Sequence, residues 1–198
     1  MFSFFSKQFE KPDGLLGQAA GKIMSVENRT INKWTLDLLN IKPNDHVLEV
    51  GFGPGFAIEE AGKRFPSIYI DGVDASETMK HTCEKRNQLL VSEGRLRLFV
   101  KDIAEFETDK HYDRVLSVNN YPLWSNREKG LAVLYQLVKQ DGQIAITVQP
   151  REENADDTKT KQLARMICND LEKAGFSGAA VHYKEERPVL TVCVTAIK

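Results

Sequence analysis

This sequence predicts a doubly wound α/β fold: a mostly parallel seven-stranded sheet with an antiparallel C-terminal hairpin and an N-terminal helical cap. Three observations predict it. From residue 44 onward, short apolar and β-branched runs alternate with helical periodicity, as in a parallel sheet covered on both faces. The first run, Val47-Leu48-Glu49-Val50, stops at Gly51-Phe52-Gly53-Pro54-Gly55, a turn that carries bare backbone to the start of a helix. The last two runs, about 179–186 and 189–197, meet at Arg187-Pro188 and read as a hairpin.

The elements follow in order. Phe2, Phe4, Phe5 and Phe9 precede a turn at Pro12-Asp13-Gly14 and need a surface to cover them, as a strap, a pocket lid or a membrane-touching anchor. Met24, Ile31, Trp34 and Leu38 recur at helical spacing between about Gly17 and Asn40, with Asn28 able to cap a break. This segment makes residues 1–43 a cap and 44–198 the core. The glycine turn leads into a helix reaching Arg64, and Ser67 to Val73 is a second strand. Ser76 can cap a helix to about Leu90, and a third strand spans Arg95 to Val100. Tyr112 to Val118 is the fourth strand, about Asn126 to Val138 a helix, Gln140-Asp141-Gly142 a turn, and Gln143 to Gln149 the fifth strand. Pro150 to Thr158 reads as a surface loop, and Thr160 to Ala174 as a helix stopped by Gly175.

Composition narrows the function. The chain has 198 residues and a net charge of −1 with acids and bases interspersed, which leaves no electrostatic footprint for nucleic acid. Cys83, Cys168 and Cys193 are widely spaced and odd in number, which points to reduced thiols and gives no zinc spacing. No apolar run approaches the ~20 residues that span a bilayer, and no secretory signal opens the chain. The expectation is a cytoplasmic protein without stable membrane insertion, its oligomeric state left open.

The glycine turn reads Gly-x-Gly-x-Gly, not the Gly-x-Gly-x-x-Gly that seats a pyrophosphate. Pro54 removes a donor that a pyrophosphate would use, and Glu49 repels a diphosphate while favouring an ammonium group. Asp74 follows Gly51 by 23 residues, where a βαβ unit sets an acid against ribose hydroxyls, with Asp71 as the competing acid. Asp102 ends the third strand, and Asn119-Asn120-Tyr121-Pro122-Leu123-Trp124 ends the fourth, at the edge where open α/β sheets bind ligands.

The stretch Val47 to Gly55 resembles the first motif of the class I S-adenosylmethionine-dependent methyltransferases, and Val73-Asp74-Ala75-Ser76 with Met79 resembles the second. The resemblance covers roughly Asn44 to Lys198. It implies S-adenosyl-L-methionine as cofactor, held by Glu49, Gly51, Phe52, Gly53, Gly55, Asp74, Ala75, Met79, Asp102, Ile103 and Asn119. It implies transfer of the sulfonium methyl to an acceptor, a small molecule by expectation. Asn120, Tyr121 and Trp124 are assigned to the acceptor pocket. Asn119-Asn120-Tyr121-Pro122 partly resembles the Asn-Pro-Pro-aromatic motif of amino-group methyltransferases. The first proline is replaced and the aromatic precedes the second, so amino methylation is not implied. None of His46, His81, His111 and His182 is expected to be catalytic, and no metal site is expected. The alternatives are a non-catalytic cofactor-binding or assembly domain and a nicotinamide-dependent oxidoreductase. The latter is disfavoured by the glycine spacing and the lack of a Tyr-x-x-x-Lys pair.

Overall fold

The computed structural model describes residues 29–152 and 154–198. The four N-terminal phenylalanines, Met24 and the Asn28 break therefore lie outside the described residues. Of the cap expected over 1–43, the described part is helix α1, residues 29–38, and the turn after it.

Seven strands follow: β1 (His46–Val50), β2 (Tyr69–Asp74), β3 (Leu96–Val100), β4 (Tyr112–Val118), β5 (Val138–Val148), β6 (Ser177–Lys184) and β7 (Thr191–Ile197). The intervening helices are α2 (Phe56–Arg64), α3 (Glu77–Arg86), α4 (Gln88–Ser92), α5 (Arg127–Leu137) and α6 (Asp157–Lys173). They form one sheet in the order β3-β2-β1-β4-β5-β7-β6. The pairs from β3 to β5 are parallel, and β7 runs antiparallel to both β5 and β6. The mostly parallel seven-stranded sheet and its antiparallel hairpin are thus present.

Alternation along each strand divides the core between two faces. Val47 packs with Leu36, Ile58, Cys83 and Leu90 of α1 to α4 on one side. Leu48 and Val50 pack with Leu131, Leu134, Ile167 and Leu171 of α5 and α6 on the other. Each fully buried Leu, Ile or Val contributes ~1.5–3 kcal/mol, so a one-residue slip of β1 would exchange its two apolar sets. Helix starts are set by short polar side chains. Ser76 Oγ accepts from Met79 N at 3.3 Å, Asn126 Oδ1 from Lys129 N at 2.9 Å and Asp156 Oδ1 from Lys159 N at 2.8 Å.

Three elements differ from their expected form. The helix after Ser76 breaks at Asn87, whose buried side chain donates to Cys83 O at 3.0 Å and Gly55 O at 3.2 Å. Strand β5 begins at Val138, ahead of the expected turn. Its register with β4 jumps from Tyr112–Val138 to Arg114–Gln143, so residues 139–142 bulge out, with Asp141 at φ 62. Helix α6 starts at Asp157 because Asp156 supplies the cap.

Strand order reverses at β1, where β2 lies on one side and β4 on the other. Ligands of open α/β sheets bind in the crevice beyond the carboxyl ends of strands at such a point.

Candidate active site

The glycine turn leaves β1 at that crevice. Gly51 N donates to Val73 O at 2.7 Å, tying the turn to β2, and Gly55 N donates back to Phe52 O at 2.9 Å. A Cβ at Gly51 would lie 2.0 Å from Asn120 Cγ, and one at Gly55 would lie 2.4 Å from Cys83 Sγ. Those glycines are required by close packing. Gly53 differs: its φ is +49, and a Cβ there would meet nothing within 4 Å. Of the turn's three glycines, Gly53 alone has bare backbone that no described atom crowds.

Asp74 joins this turn to β2. Its Oδ2 accepts from Gly53 N and its Oδ1 from Ser76 N, both at 2.9 Å. Asp102 turns Oδ1 to Ala104 N at 2.8 Å, and the 3-10 turn Ile103–Glu105 follows. Both acids lie partly exposed at adjacent strand ends. Asp71, the competing acid, sits within β2 and accepts from Arg97 and from Tyr112 Oη at 2.8 Å, so it is a sheet anchor.

Glu49 is buried between the turn and α2. Its Oε2 has no hydrogen-bond partner among the described residues. Burial pushes its carboxyl well above the usual range and the nearby Asp74 charge adds to this, while a hydrogen bond from the Ile58 backbone opposes it. The adjacent Cys83 thiol is pushed up to about 12, first by burial and then by Glu49. It is no nucleophile.

The structure brings Glu49, the three glycines, Asp74, Asp102 and the β4 terminus to one edge. It divides the remaining expected residues differently. Ala75 is exposed beside Asp74, and Met79 is half-buried against the α1–α4 face. Phe52 and Ile103 are core side chains, 2% and 5% exposed. Asn119 adopts φ 53 and sends Oδ1 to Gln149 N at 2.8 Å, while Asn120 lies over Gly51. Asn120 thus lies against the glycine turn, and Asn119 bonds to the end of β5. Tyr121, also expected at the acceptor, is fully buried, and its hydroxyl donates to Asp170 Oδ2 at 2.8 Å. Trp124 packs edge-on against Tyr121 and donates its indole N–H to Asn120 Oδ1 at 2.8 Å. The left-handed turn at Asn119 accounts for this: it rotates the next residue over the crevice and the one after it into the core.

Three residues at this edge escaped the sequence reading. Arg86 donates Nε to Pro54 O at 2.8 Å, and its guanidinium stacks 3.8 Å from the Phe56 ring centroid. Asn87 braces Gly55, as above. Gln149, 3% exposed, donates Nε2 to Arg187 O at 3.0 Å and Val189 O at 2.9 Å. Asn87 alone left a signal, a polar residue interrupting a helical stretch. The histidines lie elsewhere. His46 stacks on Tyr69 at the amino end of β1, His81 and His111 are exposed, and His182 on β6 meets Thr195 Oγ1 at 3.2 Å. Among the described residues, no cluster of His, Cys, Asp and Glu could hold a metal ion, and no helix is long and apolar enough to cross a membrane.

Comparison with known proteins agrees with this geometry. A family described as a methyltransferase domain matches residues 47–142. The chain is 40% identical over 180 residues to the uncharacterized methyltransferase YdaC of Bacillus subtilis, covering 90% of this chain and 97% of the relative. It is 27% identical over 122 residues to malonyl-[acyl-carrier protein] O-methyltransferase 1 of Ilyobacter polytropus, covering 62% of this chain and 44% of that one. Among solved structures, a SAM-dependent methyltransferase from Aquifex aeolicus superposes with a TM-score of 0.70 at 20% identity, covering 89% of this chain and 97% of that one. With its strand order, its glycine turn and a relative alike over nearly its whole length, the chain belongs to the class I S-adenosylmethionine-dependent methyltransferases.

Proposed function

We propose that the crevice beyond β1, β2, β3 and β4 holds S-adenosyl-L-methionine and opens, at the ends of β4 and β5, to a small-molecule acceptor. The observation that supports the cofactor placement is Glu49: beneath the glycine turn lies a buried carboxyl oxygen with no hydrogen-bond partner among the described residues, which suits a cationic group. The cofactor's amino end supplies one. Asp74 is poised for the ribose and the remaining oxygen of Asp102 for the adenine amino group. The open face of Gly53 admits a ligand to the main chain. When bound, the cofactor supplies an already activated methyl group.

The chain's own residues then orient and enclose. Arg86 and Asn87 hold the turn from behind through Pro54 O and Gly55 O. Gln149 ties the ends of β4 and β5 to the loop before β7. The acceptor named in the malonyl relatives is not transferred here, because the chain spans less than half of the relative's length. Calorimetric titration should give saturable heat with S-adenosylhomocysteine and none with NAD. Heat with NAD alone would overturn the reading.

A further inference from the structure

We propose that the acceptor presents a carboxylate, read by the side-chain amide of Asn120, and that the atom methylated is a carboxylate oxygen. This rests on the functional reading above and names its acceptor class.

The argument begins with which atoms the β4 terminus has left to offer. Asn120 lies over Gly51, so its amide faces the crevice where the glycine turn meets β4. An indole N–H can only donate, so the contact from Trp124 Nε1 at 2.8 Å fixes the amide oxygen toward Trp124. That settles the orientation of the amide by chemistry, since oxygen and nitrogen exchanged would set donor against donor. The Asn120 main-chain oxygen is also engaged, accepting from Leu123 N at 2.8 Å, and Tyr121 O accepts from Trp124 N at 3.3 Å. The turn thus turns its oxygens inward and leaves the two N–H donors of Asn120 Nδ2, which make no hydrogen bond among the described residues.

Donors suit one kind of nucleophile. A primary amine must place its own N–H groups on acceptors and keep its single lone pair for the methyl, so a donor aimed at it competes with the reaction. It also arrives protonated at neutral pH, since such groups titrate near ~10, and needs a base. The four histidines lie away from this crevice. A carboxylate has several lone pairs: one takes the Asn120 N–H while another attacks, and it arrives ionised. In the transfer a carboxylate oxygen forms a bond to the methyl carbon as the carbon–sulfur bond breaks. The electron pair stays on sulfur. An anion and a sulfonium become a neutral ester and a thioether, and no proton moves.

The test uses the full chain with 15N-labelled asparagine, saturated with S-adenosylhomocysteine as followed by calorimetry. The Asn120 side-chain NH2 resonances are assigned by their loss in Asn120→Asp. Sodium propionate and n-propylamine are then titrated separately. The expected result is a saturable shift of that pair with propionate, at an affinity at least tenfold tighter than any response to propylamine. A preferential response to propylamine, or no response to either, overturns the carboxylate reading. So does a pair already held by S-adenosylhomocysteine, unmoved by propionate, because Asn120 would then belong to the cofactor. Absence of S-adenosylhomocysteine heat overturns the cofactor placement as well, and is seen separately.

Discussion

Glu49 and Asp74 are two acids under one turn, and their surroundings give them opposite tasks. Asp74 orders the main chain, since both its oxygens receive backbone N–H groups. Asp74→Ala should weaken S-adenosylhomocysteine binding by ~1.5–3 kcal/mol, the range for hydrogen bonds to a charged group, read by calorimetry. Unchanged affinity would remove Asp74 from the site. Glu49 is buried, with its pKa raised by desolvation first and then by the Asp74 charge. Its folded-state pKa exceeds the unfolded value, so its stability contribution is full below about 4.3 and is lost as pH rises through the folded value. Glu49→Gln should therefore flatten the fall in apo melting temperature as pH rises above about 4.3, the unfolded value. It should also weaken S-adenosylhomocysteine, which brings a cation to that position. Parallel melting profiles for the two proteins would contradict this. At this scale the acids were legible from sequence, because each sits at a strand end marked by its own neighbours. Which asparagine faces the crevice was not. That depends on φ 53 at Asn119, and the burial of Tyr121 depends on Asp170, 49 residues away.

Among the elements, the glycine turn is rigid because α3 and α4 meet behind it. Asn87 ends α3 and donates to Gly55 O, while Arg86 reaches Pro54 O. Strand and helix periodicity foretold a helix here but not its break, since the reason for the break lies on another element. Asn87→Leu should leave Gly55 O without its side-chain donor in a buried position, at a cost of ~1–3 kcal/mol in urea unfolding. It should also lower cofactor affinity, although Asn87 lies behind the turn. A stability loss with unaltered S-adenosylhomocysteine affinity would show that the turn holds its shape without this brace. The bulge at 139–142 follows the same logic: Gln140-Asp141-Gly142 is turn chemistry, but pairing on both sides of it, with β4 at Val138 and again at Gln143, makes it part of a strand.

For the molecule as a whole, the two ends of the sheet carry different duties, and the charged residues sort accordingly. At the carboxyl end lie Glu49, Asp74 and Asp102, with hydrogen bonds confined to the main chain around them. Deeper in the sheet Asp71 binds Arg97 and Tyr112, and toward the amino end Asp113 binds Lys139 and the His46 N–H. Lys139 and the His46 N–H outweigh the burial that would raise the Asp113 carboxyl, and leave it lowered. Those acids are satisfied by cations or donors of the fold, so they have nothing further to offer a ligand. Asp71→Ala should accordingly destabilise the protein by ~1–3 kcal/mol, chiefly because the buried Tyr112 hydroxyl loses its partner; Arg97 is half exposed and water compensates it. S-adenosylhomocysteine affinity should stay within about twofold, a coupling of less than ~0.5 kcal/mol between the sheet interior and the crevice. The comparison with Asp74→Ala is the discriminating one: two aspartates three residues apart on β2, one expected to move unfolding and the other binding. Should Asp71→Ala weaken binding as strongly as Asp74→Ala does, the crevice would depend on the whole sheet rather than on its strand ends.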